Sequence, residues 1–178
     1  MVGKLTASRS MRATWPREPE NEIPALLSVS WVEALPVEHV ERLVALALAE
    51  AGADVAVAGS TTSDISEGLE AVRGQGRRAL RVEADLTRTG DVASMVKSVV
   101  SEFGKVDILV NNARVEFGKP FVDVTAAEWD AVMDYNVRSM FLCSQEAGRQ
   151  MLRQGGGRIV NIGSGLAARG LRNSAVAS

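Results

Sequence analysis

Residues 106–113 read VDILVNNA. The first five, Val106 to Val110 (VDILV), are apolar apart from Asp107. A run so short and so apolar fits a strand covered on both faces, the kind that occupies the middle of a parallel sheet. It ends abruptly in Asn111, Asn112, Ala113 and Arg114. In open parallel sheets, ligands bind where the C-terminal ends of the strands give way to loops, so this junction is the first place to look for chemistry.

Reading outward from it toward the N-terminus, Val92, Met95, Val96, Val99 and Phe103 form one helical stripe closed by Gly104. Ala79 to Ala84 reads as strand, and Ser63 to Arg73 as helix with Ile65, Leu69 and Val72 inward, the two joined by a turn at Gly74 and Gly76. Ala53 to Ala58 (ADVAVA) is a small, partly β-branched run that follows a helix directly. That helix has Pro36 in its first turn, Val40, Leu43, Val44, Ala47 and Leu48 on one side, and Gly52 just past its end. On the C-terminal side, Thr125 and Glu128 make a capping box that opens a long helix to about Gln154. Its apolar set is Trp129, Val132, Met133, Val137, Met140 and Phe141, and Gly155, Gly156 and Gly157 break it before a last strand, Arg158 to Ile162 (RIVNI). Strands and helices alternate throughout, which predicts an α/β fold with a doubly wound parallel sheet of the Rossmann type, incomplete at its C-terminal edge.

The composition agrees with such a domain and removes other classes. The chain has 178 residues, a net charge of −2, 46% hydrophobic and 24% charged residues, one cysteine and one histidine. A chain of this length buries about 70% of its unfolded surface, enough for a core without disulfide or metal staples. The near-balanced charge offers no broad basic footprint for nucleic acid. The longest apolar stretch, Leu43 to Ala49, falls far short of a membrane span, so a soluble, cytoplasmic protein is expected. Cys143 and His39 read as packing and surface residues, which excludes a zinc site.

The N-terminal segment departs from this regularity. Lys4, Arg9 and Arg12 without an acid before Trp15 resemble an organelle transit peptide weakly. Arg17, Glu18, Glu20 and Glu22 around Pro16 and Pro19 read more simply as a polar tail. Residues 1–30 are therefore expected to be a poorly ordered tail, and 31–178 a partial nucleotide-binding domain.

The predicted strand ends collect Gly59-Ser60, Asp85-Leu86, Asn111-Asn112-Ala113-Arg114 and Gly163-Ser164, small, amide and hydroxyl groups with one carboxylate. Such a set suits an extended polar cofactor. The sequence resembles the classical short-chain dehydrogenase/reductases, and among them the 3-oxoacyl-acyl-carrier-protein reductase group. The likeness covers roughly residues 43 to 178. It rests on LALAEAGADVAV at 46–57, ADLT at 84–87, VDILVNNA at 106–113, DYNV at 134–137 and GRIVNIGS at 157–164, in the family's order.

The resemblance implies an NAD- or NADP-dependent oxidoreductase that moves a hydride between nicotinamide and a small-molecule carbonyl or secondary alcohol. It makes Asp85 the adenine-contacting carboxylate with Leu86 as its backbone neighbour, and puts Ser60 at the end of the second strand. Asn112 and Ala113 would line the adenosine ribose and the central crevice, and Ile162 and Gly163 would run beside the nicotinamide. For catalysis it implies Ser164 on the substrate carbonyl and Asn136 as the helix asparagine that holds a proton-relay water. Simpler roles exist for the same residues: Asp85 as the cap of a turn through Thr87, Ser164 as a loop serine. Gly59-Ser60 carries neither the acid that favours NAD nor the base that favours NADP, and Arg77 and Arg78 lie too far along to decide.

Three departures qualify the resemblance. The family's glycine-rich turn before its first helix corresponds to Ala34–Glu41 (ALPVEHVE), which has no glycine and sets Glu38 and Glu41 toward the phosphates. Like charges that close repel by about 1–4 kcal/mol, so weakened cofactor affinity is expected. The family's Tyr-x-x-x-Lys would place its tyrosine at or beside Ala177, and the one tyrosine, Tyr135, lies on the long helix. Missing general acid–base help lowers rates by about 10²–10⁴. Arg114 stands where the family's NNAG motif has glycine. The chain thus reads as divergent at its front and truncated at its back. Impaired catalysis is expected, or alternatively a noncatalytic pseudoenzyme or interaction subunit docking on an intact homologue. The family forms homo-oligomers through the long helix, and a sheet ending at strand 158–162 would expose an edge and favour self-association.

Overall fold

A computed structural model describes residues 25–29, 38–59, 65–115 and 117–164. In chain order the elements are β1 (Ala25–Val29), α1 (Glu38–Glu50), β2 (Asp54–Gly59), α2 (Ile65–Gly74), β3 (Ala79–Glu83), α3 (Thr89–Phe103) and β4 (Ile108–Asn111). A short 3₁₀ turn (Phe121–Asp123), α4 (Ala126–Met133), α5 (Ser139–Gln154) and β5 (Arg158–Asn161) complete them. All pairings are parallel, in the order β3-β2-β1-β4-β5. The chain steps outward from β1 to β3, then crosses back to β4 and β5, so its winding reverses between β1 and β4.

Side-chain alternation along the strands creates two cores, one on each face. Ala56 and Ala58 of β2 and Leu109 of β4 face α3 and α5, meeting Val92, Met95, Val96, Val99, Phe103, Leu142, Ala147 and Met151. Val55 and Val57 of β2 and Val110 of β4 face the other way, onto Ala45 and Ala49 of α1 and Leu69 and Val72 of α2. The period-two alternation thus gives a sheet with helices on both sides. Gly104 and Gly155 end α3 and α5 in left-handed conformation, with φ of 85° and 92°, where any Cβ would be strained.

Three expectations change. Ala25–Val29, assigned from the sequence to the tail, is β1 and lies between β2 and β4; its backbone is paired on both sides, which no tail could be. The rest of the expected tail, and Pro36, lie outside the described residues. The long helix is not uniform: Asp134–Arg138 (DYNVR) forms a π turn between α4 and α5, with the Ser139 hydroxyl donating to the Tyr135 carbonyl. Nor is its apolar set all inward, because only Val132 of that set is fully buried, while Trp129, Val137 and Phe141 are exposed.

Candidate functional site

Because the strands are parallel and in close register, their C-terminal ends share one edge. Val29 aligns with Ala58 and with Asn111, Gly59 with Glu83, and Asn111 with Asn161. The loops that follow carry the residues singled out from the sequence, with Ser60 outside the described residues.

Asp85 opens the turn between β3 and α3. Its Oδ1 accepts from the Thr87 hydroxyl at 2.7 Å and the Thr87 N–H at 3.0 Å, and its own N–H donates to Asp91 Oδ2 at 3.3 Å. The Thr87 hydroxyl in particular holds the Asp85 carboxyl below the usual carboxylate range. The capping role weighed from the sequence is therefore present, and it engages one carboxylate oxygen. Leu86 is buried in the core between the sheet and α3, so it has only backbone to offer a ligand.

After β4, Asn112 is buried and Ala113 packs on the α3–α5 core. The sequence put Asn111, the last residue of β4, in this strand-end cluster without a role of its own. Its Nδ2 donates to Asn161 Oδ1 at 2.8 Å and to the Ser144 hydroxyl at 2.9 Å, tying the ends of β4 and β5 to α5. Its Oδ1 is buried without a hydrogen-bond partner. The signal was available: an amide ending an apolar strand must find partners if it is buried.

Asn136 sits in the π turn and faces the same loop. Its Oδ1 accepts from the Val115 N–H at 2.7 Å and its Nδ2 donates to the Val115 carbonyl at 2.9 Å. One amide thereby satisfies a whole backbone residue, as a strand neighbour would. Asn136 makes these bonds from within the π turn, and such turns recur at functional sites. Farther along, Lys119 Nζ donates to both Glu128 carboxylate oxygens at 2.9 Å, and Glu128 Oε2 also accepts from the Thr125 N–H and hydroxyl. These bonds, Lys119's first, hold the Glu128 carboxyl down to about 2.

Beyond β5, the Ile162 N–H donates to the Asn111 carbonyl at 2.9 Å, and the Ile162 side chain packs on the α1–α2 core. Gly163 is exposed, with open space where a Cβ would lie, so backbone can be approached closely there. Ser164 is half-buried beside it.

The edge thus carries a carboxylate after β3, an amide after β4, and a hydroxyl and uncovered glycine backbone after β5, spread along the sheet with β2 and β1 between the first and the rest, a donor and acceptor set that fits an extended nucleotide. Arg77 and Arg78 are far from it. They bind Asp54 at the opposite, N-terminal edge, with Arg77 Nη2 2.7 Å from Oδ1 and Arg78 Nε 2.7 Å from Oδ2. Cys143 is inert packing, its thiol pushed up to about 12 by burial. Among the described residues no group of His, Cys, Asp or Glu is placed to hold a metal, and no helix is long and apolar enough to cross a membrane.

Comparison with other proteins adds an independent line. The profile of the short chain dehydrogenase family matches residues 41–177. The chain is 41% identical over 128 residues to 2-dehydro-3-deoxy-D-gluconate 5-dehydrogenase of Dickeya dadantii, covering 71% of this chain and 50% of that enzyme. It is 38% identical over 130 residues to the 3-oxoacyl-acyl-carrier-protein reductase of Staphylococcus epidermidis, covering 72% and 53%. A structure of NAD+-bound xylitol dehydrogenase superposes with a TM-score of 0.77 at 30% identity, covering 86% of this chain and 57% of that one. The chain spans about half the length of the curated relatives it matches.

Proposed function

This chain belongs to the short-chain dehydrogenase family, and on that premise we propose that it binds NAD or NADP and serves hydride transfer with a small carbonyl or secondary alcohol, with its proton transfer impaired. The observation that carries the reading is the alignment of the strand ends, which brings Asp85, Asn112, Ala113, Ile162, Gly163 and Ser164 to one edge of one sheet. A bound nicotinamide ring would supply the hydride donor or acceptor. Asp85 would accept from the adenine amino group, and Asn112 and Ala113 would line the ribose and crevice. Gly163 and Ile162 would let the nicotinamide lie against backbone. The Ser164 hydroxyl would donate to the substrate carbonyl oxygen.

Asn136 has a structural part beside the one the resemblance implies, holding a proton-relay water. With both amide atoms on Val115, it positions the loop after β4, and the second N–H of Nδ2 and second lone pair of Oδ1 are what it has to offer a water. Ala177, at the place of the family's tyrosine, has no proton to give. The test is thermal melting with millimolar NADH and NADPH alongside a carbonyl-reduction assay. A ligand RTln(1 + [L]/Kd) stabilisation with turnover about 10²–10⁴ below a tyrosine-bearing relative is expected. No change in melting with either nucleotide would remove the reading.

One observation favours a second reading, a noncatalytic subunit that docks on an intact homologue or on itself. Trp129, Val137 and Phe141 are 42%, 58% and 58% exposed on α4, the π turn and α5, and Ile159 and Val160 of β5 are 40% and 47% exposed. Exposed apolar surface of this extent marks contact surfaces. Light scattering separates the readings: a stable oligomer that ignores both nucleotides supports the second, and a monodisperse monomer contradicts it.

A further inference from the structure

Asn111 ends β4 at a place where an apolar side chain would extend the core. Leu109, two residues earlier and so on the same face of the strand, is fully buried against α3 and α5. Asn111 is itself only 3% exposed. An amide there leaves its Oδ1 buried without a partner, which costs stability. Stability alone does not account for this residue.

Its bonds hold the neighbouring strand end in place. Nδ2 donates to Asn161 Oδ1 at 2.8 Å and to the Ser144 hydroxyl at 2.9 Å, and the Asn111 carbonyl accepts from the Ile162 N–H at 2.9 Å. Asn161 is thus held through its side chain on the α5 face, and Ile162 through its backbone in the plane of the sheet. The Ile162 side chain secures the opposite face, packing on the α1–α2 core. These are the two residues that lead into Gly163 and Ser164. On its own strand, Asn111 leads into Asn112 and Ala113. One residue therefore sets the spacing between the two flanks of the crevice. Directional bonds can fix such a spacing, whereas apolar contacts, being non-directional, leave it free to slide.

We propose that Asn111 is a positioning residue for the nicotinamide end of the site, acting through Asn161 and Ile162 on the backbone of Gly163. The assignment rests on the nucleotide-binding reading above. Its test is calorimetric titration of the full chain, wild type, Asn111→Leu and Asn161→Ala, with NADH and with ADP-ribose, which lacks the nicotinamide ring. NADPH and 2′-phospho-ADP-ribose are titrated in the same way. Asn111→Leu is expected to fold, because its apolar group continues the Leu109 layer and its former partners, exposed Asn161 and half-buried Ser144, can turn to water. Both variants are expected to bind the reduced nucleotide about 5–20-fold more weakly than wild type while keeping their affinity for the ADP-ribose half. Melting curves establish that they fold; should Asn111→Leu fail to do so, Asn161→Ala, at an exposed site, still decides. A folded variant that loses both ligands equally, or neither, overturns the assignment and leaves Asn111 as a tie within the sheet. A wild type that binds neither NADH nor NADPH removes the underlying reading, and the assignment with it.

Discussion

Asn136 shows how much one amide can hold. It makes two bonds to Val115, at 2.7 and 2.9 Å, and they keep the loop after β4 against the helix that follows. Asn136→Ala strips both partners from a part-buried backbone residue, so a loss of about 1–3 kcal/mol in denaturant unfolding is expected. Asn136→Asp keeps an acceptor for the N–H but turns a carboxylate toward the Val115 carbonyl, and should recover stability as pH falls and the acid is protonated. Glu128 responds in the opposite sense. Its carboxyl titrates at about 2 against an ordinary 4.5, because of Lys119 first and Thr125 next. A depressed folded value means that its contribution is complete above 4.5 and is lost as pH falls toward 2. Melting temperature measured from pH 6 to 2 should therefore fall more steeply for wild type than for Glu128→Gln, and parallel curves would contradict this.

Individual elements were legible in the sequence where their period was clear. The stripe from Val92 to Phe103 is buried throughout, and the capping box of Thr125 and Glu128 opens α4 as expected. β1 escaped notice because ALLSV, unlike the equally short VDILV, follows directly on a segment dominated by Glu and Pro that reads as a polar tail. The π turn escaped because Asp134–Arg138 has nothing in composition to distinguish it from ordinary helix, and the contact it carries, Asn136 with Val115, joins residues 21 positions apart. Asp54 is a similar case. It reads as one polar residue in a buried strand, and its partners lie more than 20 residues away at Arg77 and Arg78. Burial alone would raise its carboxyl, but the Arg78 bonds and both guanidinium charges outweigh that and leave it below the ordinary range. Arg78 also donates to the Glu102 carbonyl at 2.8 Å and lies 4.9 Å over the Phe103 ring, so the cluster joins β2 to the end of α3. Asp54→Ala is expected to cost about 2 kcal/mol by chemical denaturation while leaving nucleotide affinity unchanged, because the cluster sits at the edge opposite the site. A loss of affinity without a loss of stability would refute that separation.

At the scale of the molecule, the sheet explains both what was readable about the site and what was not. The motifs at 84–87, 106–113 and 157–164 were recognisable because each is a strand end, and parallel register gathers strand ends on one edge. The struts beneath them were not, since Asn111 with Ser144 and Asn161 joins residues 33 and 50 positions apart. The central claim is that this edge receives a nicotinamide nucleotide. Hydrogen-exchange mass spectrometry of the full chain, with and without saturating NADH or NADPH, tests it by location. Slowed exchange concentrated in 84–88, 112–115 and 162–164 is the expected result; exchange unchanged by either nucleotide, or slowed only at the Asp54 edge, would contradict it.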